Sequence, residues 1–219
     1  MKHLVALGLA ALVASSAAAG AQTAADRAGE IKQWRERCTE PDVDLRTAHI
    51  EAAIATGDVT LIRVCSRLAL EADDADVRNL GLRAAIAASQ QIIFDVKMPE
   101  ELAQAIEKAG TDQKKLNEIN RGYAMDTWQT LQSGIVFEIA EADPKNGSSQ
   151  WYPLVALAKR VDKYGGKATV TGTRLTWVGS VYLSTGDCKL DVSLQPGSEL
   201  EGVFHCSRNM PFPVRASLL

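Results

Sequence analysis

Two segments near the end of the chain alternate apolar and polar residues, and this pattern predicts a β-hairpin. The apolar positions are Cys188, Leu190, Val192 and Leu194 before the turn QPGSE, and Leu200, Phe204 and Cys206 after it. Strict alternation is typical of strands that bury one face. If Leu194 lies opposite Leu200, the antiparallel register places Cys188 opposite Cys206. A slip of one residue would turn one apolar set to the other face, so burial and a disulfide favour the same register.

The chain has four cysteines, Cys38, Cys65, Cys188 and Cys206. Four cysteines allow three pairings. The hairpin register pairs Cys188 with Cys206 and leaves Cys38 to pair with Cys65. The alternative for the second pair is two free thiols buried on helix faces, which an oxidising compartment disfavours.

Short β-prone segments surround the hairpin. Further strands are expected at residues 134–140, 167–171, 173–178, 180–183 and 214–218, with Gly172, Gly179 and Gly186 between the later ones. Evenly spaced short strands separated by glycine predict an antiparallel meander.

The first half of the chain has helical patterns instead. Helices are expected at residues 26–37, from residue 44 to Gly57, from Asp58 with Leu61, Val64, Cys65 and Leu68 on one face, and after the acidic residues 71–76. Shorter helices are expected at residues 100–109 and 112–120. Residues 90–98 contain Ile92, Ile93, Phe94 and Val96, a composition that fits either a strand or the end of a helix.

The segments AIATGDVTLIRVCSRLAL and DADVRNLGLRAAIAAS lie within residues 44–90, which resemble a HEAT-type helical repeat. The resemblance rests on a short turn between paired helices and on the acidic turn followed by Val77 and Arg78. It implies binding of another protein by surface shape, with no catalytic residues to carry over. A compact helical bundle explains the same pattern.

These patterns predict an α+β fold in which N-terminal helical hairpins precede a small antiparallel β-meander domain stapled by a disulfide. We expect a signal peptide at residues 1–21, a helical region at 22–125 and an antiparallel β domain at 126–219. Lys2, the apolar run from Leu4 to Val13 and the small residues before Gln22 are typical of a secretory signal. We therefore expect a periplasmic or secreted protein without a transmembrane anchor after signal removal.

Composition narrows the function further. The formal net charge is −3 and no Lys/Arg cluster stands out, which argues against nucleic-acid binding. No cofactor motif is found and no metal site is predicted. The acidic residues Glu71, Asp73, Asp74 and Asp76 lack the spacing of a calcium loop and fit a helix N-terminus better.

The hairpin register also produces a polar cluster on its outer face. His205 is expected opposite Lys189 and diagonal to Asp187 and Asp191. Such a group could position a general base, whereas the simpler interpretation is a solvated face of weakly paired charges.

Trp151, Tyr152 and Trp177 suggest a second type of site, because aromatic faces stack on sugar rings. Large aromatics also commonly fill a core, and we expect that role here.

We expect a non-catalytic protein-binding protein, an interaction or scaffold protein whose partner is another exported or cell-envelope protein. The alternatives are a hydrolase or carbohydrate-binding protein with its site on the β domain, and a small periplasmic enzyme inhibitor. The inhibitor alternative expects a protruding turn at residues 195–199.

Overall fold

The computed structural model describes residues 23–155, 159–182, 184, 186–207 and 209–218. Within these residues the chain forms seven helices and eight strands. The helices are α1 (Ala24–Cys38), α2 (Val43–Ala55), α3 (Val59–Leu70), α4 (Ala75–Ala88), α5 (Glu100–Ala109), α6 (Gln113–Asn120) and α7 (Tyr123–Leu131). The strands are β1 (Gln91–Val96), β2 (Ile135–Asp143), β3 (Ser148–Pro153), β4 (Gly166–Thr171), β5 (Arg174–Gly179), β6 (Cys188–Gln195), β7 (Glu199–Cys206) and β8 (Phe212–Ser217).

Aspartates begin three of the first four helices. The carboxylates of Asp42, Asp58 and Asp74 accept hydrogen bonds from backbone N–H groups in the first turns of α2, α3 and α4. Each bond satisfies a donor that the helix itself leaves unpaired. Within the acidic segment 71–76, Asp74 is therefore the N-cap of α4.

The predicted hairpin is confirmed, residue by residue. Strands β6 and β7 pair with Leu194 opposite Leu200 and Cys188 opposite Cys206. Disulfides join Cys188 to Cys206 and Cys38 to Cys65, as the cysteine pattern predicts. Gly202 lies opposite Val192, where a Cβ would come within 2.0 Å of the carbonyl oxygen of Asp191. This close approach requires glycine at position 202.

The α+β fold is confirmed, and its β domain is a closed eight-stranded antiparallel barrel in which each strand pairs with its sequence neighbours. Residues 91–96 form strand β1, which resolves the choice left open for residues 90–98. Strand β1 pairs with both β2 and β8 and so closes the barrel. The barrel thus takes its first strand from the segment that the sequence assigns to the helical region. Residues 180–182 do not form the strand expected there, and Leu183 lies outside the described residues.

Helices cover both ends of the barrel. At one end, which we call the cap end, are the turns after β2, β4 and β6. Helix α4 packs there, with the Asn79 Nδ2 donating to the Gly172 carbonyl at 2.6 Å and the Arg83 Nη1 donating to the Lys145 carbonyl at 2.7 Å. Helices α5–α7 connect β1 to β2 at the opposite end, where the Asn209 Nδ2 donates to the Thr127 Oγ1 at 2.9 Å. We call α1–α4 the helical cap.

The barrel interior is packed with side chains. Phe94, Phe137, Trp151 and Trp177 form its aromatic centre, and the disulfide between Cys188 and Cys206 belongs to the same cluster. Leu82 and Ile86 of α4 join this core from the cap end. Eight-stranded barrels have an interior just wide enough to be filled in this way.

The helical cap has a second, smaller core of its own. It consists of Cys38, Ile50, Ala53, Cys65, Ala69, Val77 and Leu80. The disulfide between Cys38 and Cys65 lies within it and fastens α1 to α3. The cap is therefore stabilised separately from the barrel on which it sits.

The expected signal peptide falls on residues that lie outside the described ones. In the part of the chain that the structure describes, no helix has the length and apolar character needed to cross a bilayer. Two disulfides are compatible with an exported protein.

Candidate functional site

The polar cluster on the outer face of the hairpin is organised around Asp191. Its carboxylate accepts hydrogen bonds from the Arg174 Nε at 2.5 Å, from the Arg174 Nη2, and from the Lys189 Nζ at 2.7 Å. Arg174 lies on the neighbouring strand β5, where its register partner is Ser193 of β6. Asp191 therefore bridges two cations on the barrel surface.

These contacts change the acidity of Asp191. The hydrogen bonds from the Arg174 guanidinium, with those of the Lys189 ammonium, lower the pKa of the Asp191 carboxyl to about 2, although partial burial opposes the shift. A carboxylate with so low a pKa is a poor proton acceptor near neutrality. Asp191 is thus suited to holding the sheet surface together.

His205 lies opposite Lys189, as predicted, and its side chain is exposed. Within the described residues the imidazole forms no hydrogen bond or ion pair. Asp187 is exposed, and its backbone carbonyl accepts from the Ser207 hydroxyl. The register therefore brings the four residues together, but the carboxylate of Asp191 is committed to Arg174 and Lys189. This arrangement supports the solvated-face interpretation.

The three aromatic residues proposed for sugar stacking lie in or against the barrel core. Trp151 and Trp177 are 0 % exposed and Tyr152 is 8 % exposed. The Trp151 Nε1 donates to the Ser149 Oγ at 2.7 Å, which satisfies its buried polar atom. The Tyr152 ring is covered by the Arg160 guanidinium, 3.6 Å from the ring centroid. These rings have no free face for a sugar, and the core role that we expected agrees with their burial.

A different aromatic pair lies at the surface, where one ring is exposed and the other is half-buried. Tyr182 is 58 % exposed and stands edge-on to Tyr164, with ring centroids 5.8 Å apart. Both residues lie in loops at the end of the barrel opposite the cap, Tyr164 between β3 and β4 and Tyr182 between β5 and β6. Neither tyrosine belongs to an aromatic cluster along the chain, so the sequence pattern gave no signal for this pair.

The turn at residues 195–199, which the inhibitor alternative requires to protrude, is buried at Ser198 and exposed at its tip. Ser198 is 3 % exposed, and its carbonyl accepts from the backbone N–H of Leu218 at 3.1 Å. Pro196 and Gly197 line a groove together with Leu70 and Ala72 of the cap. Pro196 and Gly197 themselves are exposed, and the bond from Leu218 anchors the base of the turn beside the end of β8.

A first groove lies between α2, α4 and the turn after β2. It has a volume of about 560 Å³, and Ala48, Ala52, Ala55, Leu80 and Pro144 provide most of its apolar wall. The polar groups at its rim include Arg83, which is already bonded to the Lys145 carbonyl. The wall is apolar, and this cation is engaged within the protein.

A second groove lies between α3, the end of α4 and the start of β1, and we call it the α3 groove. Its volume is about 690 Å³, and its lining includes Val59, Arg63, Ser66, Arg67, Gln90 and Gln91. Leu218, next to the end of β8, also lines the groove. Residues from three distant parts of the chain thus form one surface at the seam between cap and barrel.

Arg63 and Arg67 give this groove its charge. Both are exposed, and neither forms an ion pair or hydrogen bond with any residue that the structure describes. Residues four apart lie on the same helix face, so the two guanidinium groups stand one turn apart. No sequence motif singled out these two arginines. Their positions on the face of α3 opposite its apolar stripe indicate that they are exposed.

Among the described residues, no group of three His, Cys, Asp or Glu side chains is placed to hold a metal ion. No protein-family model, curated protein or solved structure matches the chain. The resemblance of residues 44–90 to a HEAT-type repeat therefore stays a prediction.

Proposed function

We propose that this protein is an exported, non-catalytic binding protein, in which the barrel is a rigid support and the helical cap carries the surface that binds another protein. The observation that carries this proposal is the α3 groove, a concave surface with two exposed arginines that have no partner within the described residues. Exposed arginines beside apolar side chains are typical of protein-binding surfaces, where Arg is enriched.

The packing of the barrel supports the same proposal. Small-molecule carriers built on eight-stranded barrels hold the ligand inside the barrel. Here Phe94, Phe137, Trp151 and Trp177 occupy that volume, and α4 adds Leu82 and Ile86 at the cap end. A ligand would have to displace the core, so a binding surface outside the barrel is favoured.

The architecture supports it in a third way. The cap is held by its own disulfide between Cys38 and Cys65 and by the bonds of Asn79 and Arg83 to the barrel turns. A surface on such an ordered support loses little conformational entropy on binding. The two disulfides are compatible with function outside the cytoplasm.

Site-specific photocrosslinking tests the proposal. A photoreactive phenylalanine analogue replaces Gln91, an exposed residue of the α3 groove, and the chain is expressed in its native cells and irradiated. We expect one predominant crosslinked protein, identified by mass spectrometry. The matched control carries the analogue at Thr169, an exposed position on the outer face of β4, and we expect no such product.

Capture of the same protein from both positions would show nonspecific contact and contradict the proposal. Crosslinks that appear only when the analogue replaces Tyr182, at the opposite end of the barrel, would also contradict it. Those crosslinks would move the binding surface to the pair formed by Tyr164 and Tyr182.

A further inference from the structure

Four of the described arginines form ion pairs with carboxylates of this chain, whereas the two in the α3 groove do not. Arg27, Arg160, Arg174 and Arg215 each pair with a carboxylate of this chain. Arg63 and Arg67 have no such carboxylate in the described part of the chain. The groove therefore has two positive charges that its own residues leave unneutralised.

Apolar residues line part of the groove beside these arginines. Val59 is 51 % exposed at the start of α3, and Ala85, Ala88 and Leu218 line the groove below it. Covering an exposed valine with an apolar group of a ligand removes apolar surface from water, which favours binding. The groove thus favours a ligand that carries an apolar side chain beside negative charge.

Three further polar side chains of the groove have hydrogen-bonding capacity to spare. Ser66 is 1 % exposed, yet its Oγ has no hydrogen-bond partner in the residues described. The amide side chains of Gln90 and Gln91 likewise form no bond with described residues. An unsatisfied buried hydroxyl is costly, and amide groups both donate to and accept from a peptide backbone. This combination fits a polypeptide better than an isolated anion.

The basic surface continues across α3. Arg67 also lines a neighbouring groove with a volume of about 310 Å³, together with Arg35, Val64 and Leu68. Glu36 also lines this neighbouring groove and is the one carboxylate among its described lining residues. Arg67 therefore borders both grooves.

We propose that the α3 groove binds an extended acidic segment of the partner protein. Carboxylates of the segment pair with Arg63 and Arg67, and an apolar side chain of the segment covers Val59. The inference rests on the proposed function and names the chemistry of the partner. An anionic membrane is a weaker fit, because the apolar residues line a concavity that a flat bilayer does not enter.

Fluorescence anisotropy with two labelled peptides tests the charge requirement. One peptide alternates Glu and Leu, and its twin alternates Gln and Leu. We expect the acidic peptide to bind the full exported protein at least about tenfold more tightly than the neutral twin, and to bind less tightly as salt is raised. Similar affinity for the two peptides, or no binding of either, would overturn the inference.

Charge-removing variants locate the site. In Arg63→Gln with Arg67→Gln we expect at least about tenfold weaker binding of the acidic peptide. The matched control is Lys114→Gln with Arg121→Gln, which removes two exposed charges from α6 and the residue after it, at the other end of the barrel. We expect the control to bind as the unmodified protein does. Equal loss in both double variants would show a general charge effect and overturn the inference.

Three further results decide between this inference and the proposed function. If the photoreactive analogue at position 91 still captures the partner when Arg63 and Arg67 are both replaced by glutamine, the acidic-segment inference fails while the proposed protein binding stands. If the double variant loses binding to phosphatidylglycerol vesicles but not to the acidic peptide, the groove recognises a membrane and the inference is again overturned. If the photoreactive analogue at position 91 captures no protein while the acidic peptide binds through Arg63 and Arg67, the proposed function fails. The preference of the groove for acidic segments then still stands.

Discussion

The ring of Trp177 stands against the ring of Phe137 in the barrel interior, with their centroids 5.1 Å apart. Trp151 contacts the same phenylalanine at 5.4 Å. These rings come from β2, β3 and β5, so one aromatic cluster holds several strands together. This packing makes the barrel a solid support for the helical cap.

Replacing a ring of this cluster should weaken the whole barrel. In Trp177→Ala we expect the free energy of unfolding to fall by about 3 to 5 kcal/mol, because the substitution removes a fully buried ring and leaves a cavity. Urea titration followed by far-ultraviolet circular dichroism measures the change. Val178→Ala is the control, since Val178 is the next residue of the strand and is 48 % exposed. A loss in the control as large as in Trp177→Ala would contradict this account of the core.

The disulfide of the hairpin should stabilise the protein by limiting its unfolded state. Cys188→Ala with Cys206→Ala removes a link between residues 18 apart in sequence. We expect the free energy of unfolding to fall by about 3 kcal/mol. The same titration under reducing conditions, with Cys38→Ala and Cys65→Ala in both proteins, is the control. There the difference between the hairpin variant and its parent should largely disappear, and a persistent difference would show that side-chain packing causes the effect.

Acid should weaken the bridge around Asp191. The folded protein lowers the pKa of this carboxyl to about 2, so its contribution to stability is complete above the ordinary pKa of 3.8 and is lost as the pH falls towards the lowered value. In Asp191→Asn we expect a loss of about 1 kcal/mol at neutral pH and a smaller loss at the acid limit. Unfolding titrations across this pH range test it. Asp187→Asn is the control, and an Asp191→Asn deficit that stays constant with pH would contradict the ion-pair account.

The two bonds from α4 to the barrel turns should hold the cap in place. In Asn79→Ala with Arg83→Ala we expect the free energy of unfolding to fall by about 1 to 3 kcal/mol, because the carbonyls of Gly172 and Lys145 lose their donors. In the double variant, amide hydrogen exchange should speed up more in α4 than in the barrel strands. Gln104→Ala, which removes a bond within α5, should leave the exchange of α4 unchanged. Slower exchange of α4 in the double variant would contradict the docking role.

The predictable part of this fold depends on local periodicity. Alternation from Cys188 to Cys206 defines the hairpin because burial and cysteine pairing both require one register. Barrel closure was not predictable in the same way, since Asp95 pairs with Arg215 across most of the β domain. Strand β1 was ambiguous because exposed Ile93 is as apolar as its buried neighbours Ile92 and Phe94. Pairing with strands distant in the sequence determines that such a segment forms a strand.

The candidate site likewise has a part that local periodicity predicts and a part that depends on long-range pairing. The positions of Arg63 and Arg67, opposite the stripe of Leu61 and Cys65, could be inferred from helical periodicity alone. The groove could not, because Gln91 and Leu218 reach it only through the closed barrel. The cluster around His205 was predictable from register, but the commitment of Asp191 to Arg174 depends on the pairing of β5 with β6.

Hydrogen exchange with and without the captured partner tests the central claim most directly. The account predicts that the partner slows exchange in α3 (Val59–Leu70) and at Gln90 and Gln91, while strands β4 to β6 exchange as in the free protein. Slower exchange confined to the loops around Tyr164 and Tyr182, with α3 unchanged, would contradict it.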